Sequence, residues 1–340
     1  MLADATLAVM WTGLTCYALF GGADFGAGLW DLLAGNARRG APQRHLIEHT
    51  IGPVWEANHV WLIFVVVLLW GGFSPVFAAV LSTLYLPLTL AALGIIARGA
   101  AFAFRKASSG TALRRLFGAC FAVSSVVTPF FLGTVAGAVA SGRVPPGLAA
   151  GDTVTSWINP TSALGGVLAV LACAHLAAVY LCADSVREGD DALADAFRRR
   201  ALVSGAACGV VALAGAAVLH ADAPRLFDGL THRALPLVLL SAAGGVAGLV
   251  LVGRRRYVPA RLAAALAVAA VLWSWGAAQY PLMLVPGTTV QETASQSSVL
   301  AACLASLGVG AVLLIPSLWW LYHLFQGHDG RSRTESGPAS

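Results

Sequence analysis

Charge is what this sequence has least of. Only 11% of its 340 residues are Asp, Glu, Lys or Arg, against about 25% in soluble proteins, and that deficit excludes an ordinary cytosolic enzyme. The alternating polar-apolar dyads of an outer-membrane barrel are missing as well. There is no phosphate loop, no Ser-His-Asp pattern and no metal-ligand spacing, so nothing points to a soluble substrate. Methionine is limited to Met1, Met10 and Met283. The six cysteines, Cys16, Cys120, Cys173, Cys182, Cys208 and Cys303, form no CxxC pair. They read as small apolar packing residues and carry no information on redox compartment. The lead-in Met1–Thr6 has Asp4 but no Lys or Arg, which does not suit a cleaved signal peptide.

What the sequence does have is apolar length: 58% of the residues are hydrophobic. A helix needs about 20 such residues to cross a bilayer, and nine stretches qualify: 6–33, 55–73, 75–104, 113–139, 161–185, 201–221, 234–252, 260–281 and 296–325. The expected fold is an all-α integral membrane protein of about nine transmembrane helices. Lys and Arg set the orientation. Of the 21, seventeen fall in or beside alternate loops and the C-terminal tail and three on the opposite side; Arg98, inside a span, is the remaining one. The N-terminus is therefore expected outside and the C-terminus in the cytoplasm. This asymmetry accounts for the net charge of +5 with no nucleic-acid partner.

Residues 1–326 read as a single polytopic membrane domain and 327–340 as a disordered polar cytoplasmic tail. The stretch 140–160, with Pro145, Pro146 and Gly147, reads as an irregular external connection. Arg187–Arg200 reads as a short amphipathic helix on the cytoplasmic face. Glycine is frequent, at 37 residues, and the pairs Gly22/Gly26 and Gly133/Gly137 have the GxxxG spacing that lets helices approach closely.

Ionisable residues within spans are the best pointers to function, because each costs about 2.5–3.5 kcal/mol at mid-membrane. Asp24 lies between Gly22 and Gly26, so a neighbouring helix can pack against the turn that carries the acid. Asp31 follows seven residues later on roughly the same face. The second span opens Gly52-Pro53-Val54-Trp55-Glu56-Ala57-Asn58-His59-Val60-Trp61-Leu62. Glu56 and His59 are three apart, close enough on a helix to pass a proton. Trp55 and Trp61 suit interface anchors as well as functional positions. Arg98 lies seven residues before Arg105, about 10 Å from the cytoplasmic end, and calls for a buried acid as partner. With alternating span directions, Asp24, Glu56, His59 and Arg98 all fall in the cytoplasmic half. They make either an inward-facing proton path, a charge-compensated pocket or a structural ion-pair staple. Of the eight histidines only His59, His175 and His220 fall in or near spans, so a bis-histidine haem in this chain would have to use His59 with His175.

These residues resemble subunit II of the cytochrome bd-type quinol oxidases. The resemblance rests on Gly22–Asp31, the Trp-acid-x-Asn-x-Val-Trp block at 55–61, and Arg98. It extends through Trp157-Ile158-Asn159-Pro160, Ala278-Gln279-Tyr280-Pro281 and Pro316-Ser317-Leu318-Trp319-Trp320-Leu321-Tyr322. It implies two four-helix bundles plus one peripheral helix in a bacterial plasma membrane, multi-pass, within a respiratory electron-transport complex. It also implies a heterodimer with a haem-bearing subunit I. Haems b and d and the quinol-oxidising site would lie in that partner, with no cofactor in this chain. Small accessory membrane subunits stay open. The implied reaction is quinol oxidation with reduction of oxygen to water, this subunit supplying a cytoplasmic proton path to the partner. Asp24, Glu56 and Arg98 match the family's intramembrane charged positions, and Trp61 a tryptophan near an oxygen route. Trp55 and Asn58 belong to the same motif and are candidate subunit contacts. Glu56 stands where the family often has Asp, His59 where others have Gln or Glu, and Gly21 where many have a further acid. The rival reading is a proton-coupled secondary transporter, which calls for an internal repeat and broken helices around a midplane site. A di-haem anchor for a soluble dehydrogenase would need paired histidines that the sequence lacks.

Overall fold

A backbone in lipid must satisfy its own hydrogen bonds, and long apolar runs do so as helices. The computed structural model of the chain describes residues 1–35, 40–51, 55–108 and 110–326 and is almost wholly helical. Helix α1 (Leu2–Cys16) passes through a single π-helical turn (Tyr17–Gly21) into α2 (Gly22–Leu32), and the three pieces form one apolar rod of 31 residues. A connecting helix α3 (Ala41–Ile51) precedes α4 (Trp55–Gly72) and α5 (Ser74–Thr83). Then come α6 (Tyr85–Ala107), α7 (Thr111–Ala140), α8 (Pro160–Arg187), α9 (Asp191–Asp222), the short α10 (Pro224–Thr231), α11 (Leu235–Gly253) and α12 (Tyr257–Gln279). A two-stranded antiparallel hairpin, β1 (Leu282–Leu284) and β2 (Thr288–Thr289), and a single turn α13 (Val290–Thr293) lead to α14 (Ser297–Gln326).

Seven helices among the described residues are long and apolar enough to cross a bilayer: the α1–α2 rod, α6, α7, α8, α9, α11 and α12. The pair α4–α5 qualifies only as a broken span, bent by 119°, and α14 carries a shorter apolar stretch over Ser297–Leu313. The expected tail at 327–340 lies outside the described residues.

Two expectations need correction. The stretch 75–104 is not one helix but α5 and α6, separated at Leu84. Pro87 has no N–H to offer the Thr83 carbonyl and its ring crowds that carbonyl, so the helix restarts there. Pro75 has the same effect on Gly71 and fixes the sharper bend at Phe73. Arg187–Arg200 is not a separate helix either. Gly189 (φ +78°) ends α8, the Asp190 carboxylate accepts the N–H of Leu193 at 2.8 Å, and α9 then runs without a break to Asp222. Arg and Ala are strong helix formers, and nothing at Arg200–Ala201 stops the helix. The sequence also concealed α3, α10 and the hairpin, which are too short to show a period. The turn after the hairpin is closed by a capping box, with Thr289 N–H donating to Glu292 at 2.7 Å. That bond holds the Glu292 carboxyl below its usual range.

Helix α8 is the central element. Leu176, Ala177, Ala178, Val179, Leu181 and Cys182 on it are buried, between α2, α7, α9 and α12. A second core forms where α1, α4, α5 and α14 meet, around Met10, Leu68, Phe73, Val76, Leu84 and Leu300. Helix α2 lies so close to α8 that a Cβ on Gly26 would sit 1.9 Å from the Cys173 carbonyl oxygen. Gly22 faces the same helix, so the GxxxG pair serves α8. Trp30 fixes the register by donating its indole N–H to the Ala174 carbonyl at 2.9 Å. Overpacking a tight contact costs about 1–3 kcal/mol, so Gly26→Val should lower the melting temperature of the purified protein by several degrees and reduce its yield. Gly245→Ala, where an added Cβ meets no atom within 4 Å, should not lower it.

Candidate functional site

The π turn resets the helical phase ahead of Asp24, which sits in the first turn of α2 and is 4% exposed. Single π turns inside α-helices often mark functional positions. From α6, Arg98 reaches the acid and is itself 1% exposed. Its Nη1 donates to Asp24 Oδ2 at 3.0 Å and its Nη2 to Oδ1 at 2.7 Å, while Nη2 also reaches the Asp24 backbone carbonyl at 3.2 Å. Its Nε donates to the Ser125 hydroxyl on α7 at 2.9 Å, and that hydroxyl in turn donates a hydrogen bond to the Phe121 carbonyl at 2.7 Å. The rings of Phe121 and Phe25 flank the guanidinium at 4.7 and 5.0 Å. A planar fork of five donors fits this seat and a lysine ammonium would not. Gly28 makes room for the arrangement, because a Cβ there would lie 2.1 Å from the Ser125 oxygen.

A second rung lies two helical turns on. Asp31 and Arg105 are each seven residues beyond Asp24 and Arg98, about 10 Å along parallel helices. Arg105 meets Asp31 at 2.8 Å and Glu48 of α3 at 3.0 Å, and Arg44 of α3 meets Asp31 at 3.3 Å. One rung is sealed; the other lies at the polar end of the bundle.

Helix α4 divides the remaining sequence candidates. Glu56 is exposed and heads a stripe of exposed apolar residues, Val60, Ile63, Val67 and Trp70, each 53–62% exposed. Asn58 is buried and its amide donates to the Phe20 carbonyl at 3.4 Å, so it braces the π turn. His59 is partly buried against Tyr17 and Phe25, with ring centroids 6.2 and 6.0 Å apart. Trp61 packs on the cluster of Tyr17, Phe25 and Cys173 and stands edge-on to Phe64 at 6.1 Å. The side chain of Trp55 lies outside the described residues. The structure thus brings Asp24 and Arg98 together and sets His59 beside them. Glu56 turns away: residues three apart on a helix differ by about 60° around its axis, which here separates an outward carboxylate from an inward imidazole.

Sequence reasoning missed Tyr17, Ser125 and the Asp31–Arg105 rung. The equal seven-residue spacing of 24/31 and 98/105 was the available signal for the rung. As a haem-ligand pair the histidines do not fit. His175 on α8 is engaged with the Ala201 carbonyl at 3.0 Å on the α9 side, whereas His59 faces the π turn and α2. Among the described residues no group of three or more His, Cys, Asp or Glu could hold a metal ion.

Fold and site together define a multi-pass helical membrane protein with a charge pair sealed between its spans. The chain belongs to the cytochrome bd terminal oxidase subunit II family, which it matches over residues 2–325. It is 30% identical over 153 residues to cytochrome bd ubiquinol oxidase subunit 2 of Bacillus subtilis (strain 168), a match that spans 45% of this chain and 44% of that protein's length. It is 23% identical to the putative cytochrome bd menaquinol oxidase subunit II of the same organism, over 95% of both chains. In the solved bd oxidase from Geobacillus thermodenitrificans, a chain 25% identical aligns with a TM-score of 0.74 over 95% of this chain and 98% of that one. These likenesses favour the oxidase reading over the transporter.

Removing one member of a buried ion pair costs about 3–5 kcal/mol, because the other is left charged and unpaired. Arg98→Met and Asp24→Leu should each sharply reduce yield and melting temperature in detergent. The double variant Asp24→Leu/Arg98→Met should be more stable than either single one, as read by the same thermal melts.

Proposed function

We propose that this chain is the haem-poor subunit II of a bd-type quinol:oxygen oxidoreductase. It pairs with a haem-bearing subunit I, which holds haems b and d and oxidises quinol while reducing oxygen to water. This chain supports that partner and offers a proton inlet from the cytoplasm, without itself carrying the catalytic haems. The observation that carries the reading is the pairing of two features: a sealed Asp24–Arg98 pair inside, and an exposed Glu56 on an apolar face of α4 that no described residue of the chain covers. A carboxylate with no partner among the described residues, on a face fit for another membrane subunit, is suited to handing protons across that interface.

The proposed topology has nine crossings, counting the broken α4–α5 pair and α14, arranged as two four-helix bundles and one peripheral helix. The N-terminus lies outside and the C-terminus in the cytoplasm. The polar contacts support this by sorting into two ends. Arg143–Asp222–Thr161 and Asp4–Gln291 gather at the N-terminal end. Asp31–Arg105, Asp184–Arg261 and Asp195–Arg255 gather at the other. Residues 1–326 are proposed to act as one membrane unit with 327–340 as a polar tail. In the assembled oxidase Glu56 takes up protons, Asp24 and Arg98 hold a balanced charge behind it, His59 lies between, and Trp55, Asn58 and Trp61 shape the α4 surface.

Two results are expected. A tagged pull-down in mild detergent should bring down a second membrane subunit with b- and d-type bands in a reduced-minus-oxidised spectrum; a colourless single chain under gentle extraction would reject the reading. Glu56→Gln should slow oxygen reduction at least several-fold while the spectrum and the assembled amount stay near wild type. Wild-type turnover in that variant would remove Glu56 from the proton route.

A further inference from the structure

Two buried polar atoms beside the ion pair have no hydrogen-bond partner among the described residues: the Tyr17 hydroxyl oxygen and Nδ1 of His59. Tyr17 is the first residue of the π turn and only 6% exposed. Its ring lies over Gly21, where a Cβ would come within 3.0 Å of it. Across from it stands the His59 ring, at 6.2 Å between centroids. Phe25 touches both, at 6.4 Å from Tyr17 and 6.0 Å from His59, and its own ring packs against the Arg98 guanidinium. Three rings therefore stand between α4 and the Asp24–Arg98 pair, and two of them carry polar atoms that no described residue satisfies. Buried polar atoms in folded proteins are nearly always met by protein groups or by ordered water, buried waters bond those that protein groups leave unmet, and one water bridges two groups that cannot reach each other directly.

We infer that the Tyr17 hydroxyl and His59 Nδ1 bind ordered water between the π turn and α4, and that this water links the Glu56 side of α4 to the Asp24–Arg98 pair. The inference rests on the proton-inlet reading proposed above and adds Tyr17 to it. The transfer balances without any co-reactant. His59 takes a proton on one ring nitrogen and releases the proton of the other, so the ring stays neutral in the opposite tautomer. The water and the Tyr17 hydroxyl each accept one proton and pass one on. The π turn gives the site its shape, because it carries the tyrosine and the glycine under its ring in one five-residue unit. Tyr17 and His59 position the water; neither is a ligand of the partner's haems in this proposal.

The test uses the assembled oxidase. A map sharp enough to show other buried waters should show density between Tyr17 and His59, and Tyr17→Phe should remove that density with the ring in place. Tyr17→Phe should also slow oxygen-driven proton uptake several-fold and raise its solvent isotope effect, with the haem spectrum unchanged. His59→Gln, which keeps a polar atom, should retain more of the rate than His59→Leu. Absence of the density in the wild type, or wild-type proton uptake in Tyr17→Phe, would overturn the inference. If Glu56→Gln still slows turnover in that case, the inlet at Glu56 stands and only the water link fails; if neither variant slows it, both fail.

Discussion

The rest of the structure is arranged around a guanidinium buried between the spans. An arginine at mid-membrane is costly, and Arg98 is 1% exposed. It is tolerated because its donors find Asp24 twice through the carboxylate, once through the backbone, and Ser125. Each of those acceptors has its own requirement. Asp24 needs the π turn to face it inward, Ser125 needs Gly28 to stay small, and the α2 rod needs Gly26 to lie against α8. A change in one of these small residues therefore acts on the charge pair through backbone position rather than through chemistry.

The pair is balanced: the Asp24 carboxylate and the Arg98 guanidinium meet at 2.7 Å and offset each other's charge. Glu56 has the opposite character. It is exposed, has no partner within the chain among the described residues, and sits on the apolar stripe of α4. In the proposed oxidase the two play different parts. The outward carboxylate changes its proton, and the inner pair sets a fixed local field. The Asp31–Arg105–Glu48 cluster, near the polar end, keeps α2, α3 and α6 aligned so that the field does not drift.

Much of this was legible in the sequence. Apolar length and the placement of Lys and Arg mark the spans, because lipid admits few other solutions. Asp24 and Arg98 stand out because charge is so scarce around them. What stayed hidden has physical causes. The break at Leu84 follows from Pro87, but a hydropathy window averages across it. The π turn has no sequence signature, so neither the inward rotation of Tyr17 nor the bracing role of Asn58 could be foreseen. Spacing suggested that Glu56 and His59 act together, yet a 60° offset at the edge of a packed helix puts one outside and the other inside. Ser125 is an ordinary small polar residue until Arg98 is seen to reach it.

The central claim is that the Glu56-bearing stripe of α4 faces the haem-bearing partner with the charge pair directly behind it. A photo-crosslinking residue at Ile63, in that stripe, tests it most directly against one at Leu213 of α9, which is 80% exposed. The account predicts a crosslink from Ile63 to the haem-bearing subunit and none from Leu213. A crosslink from Leu213 with none from Ile63 would contradict it.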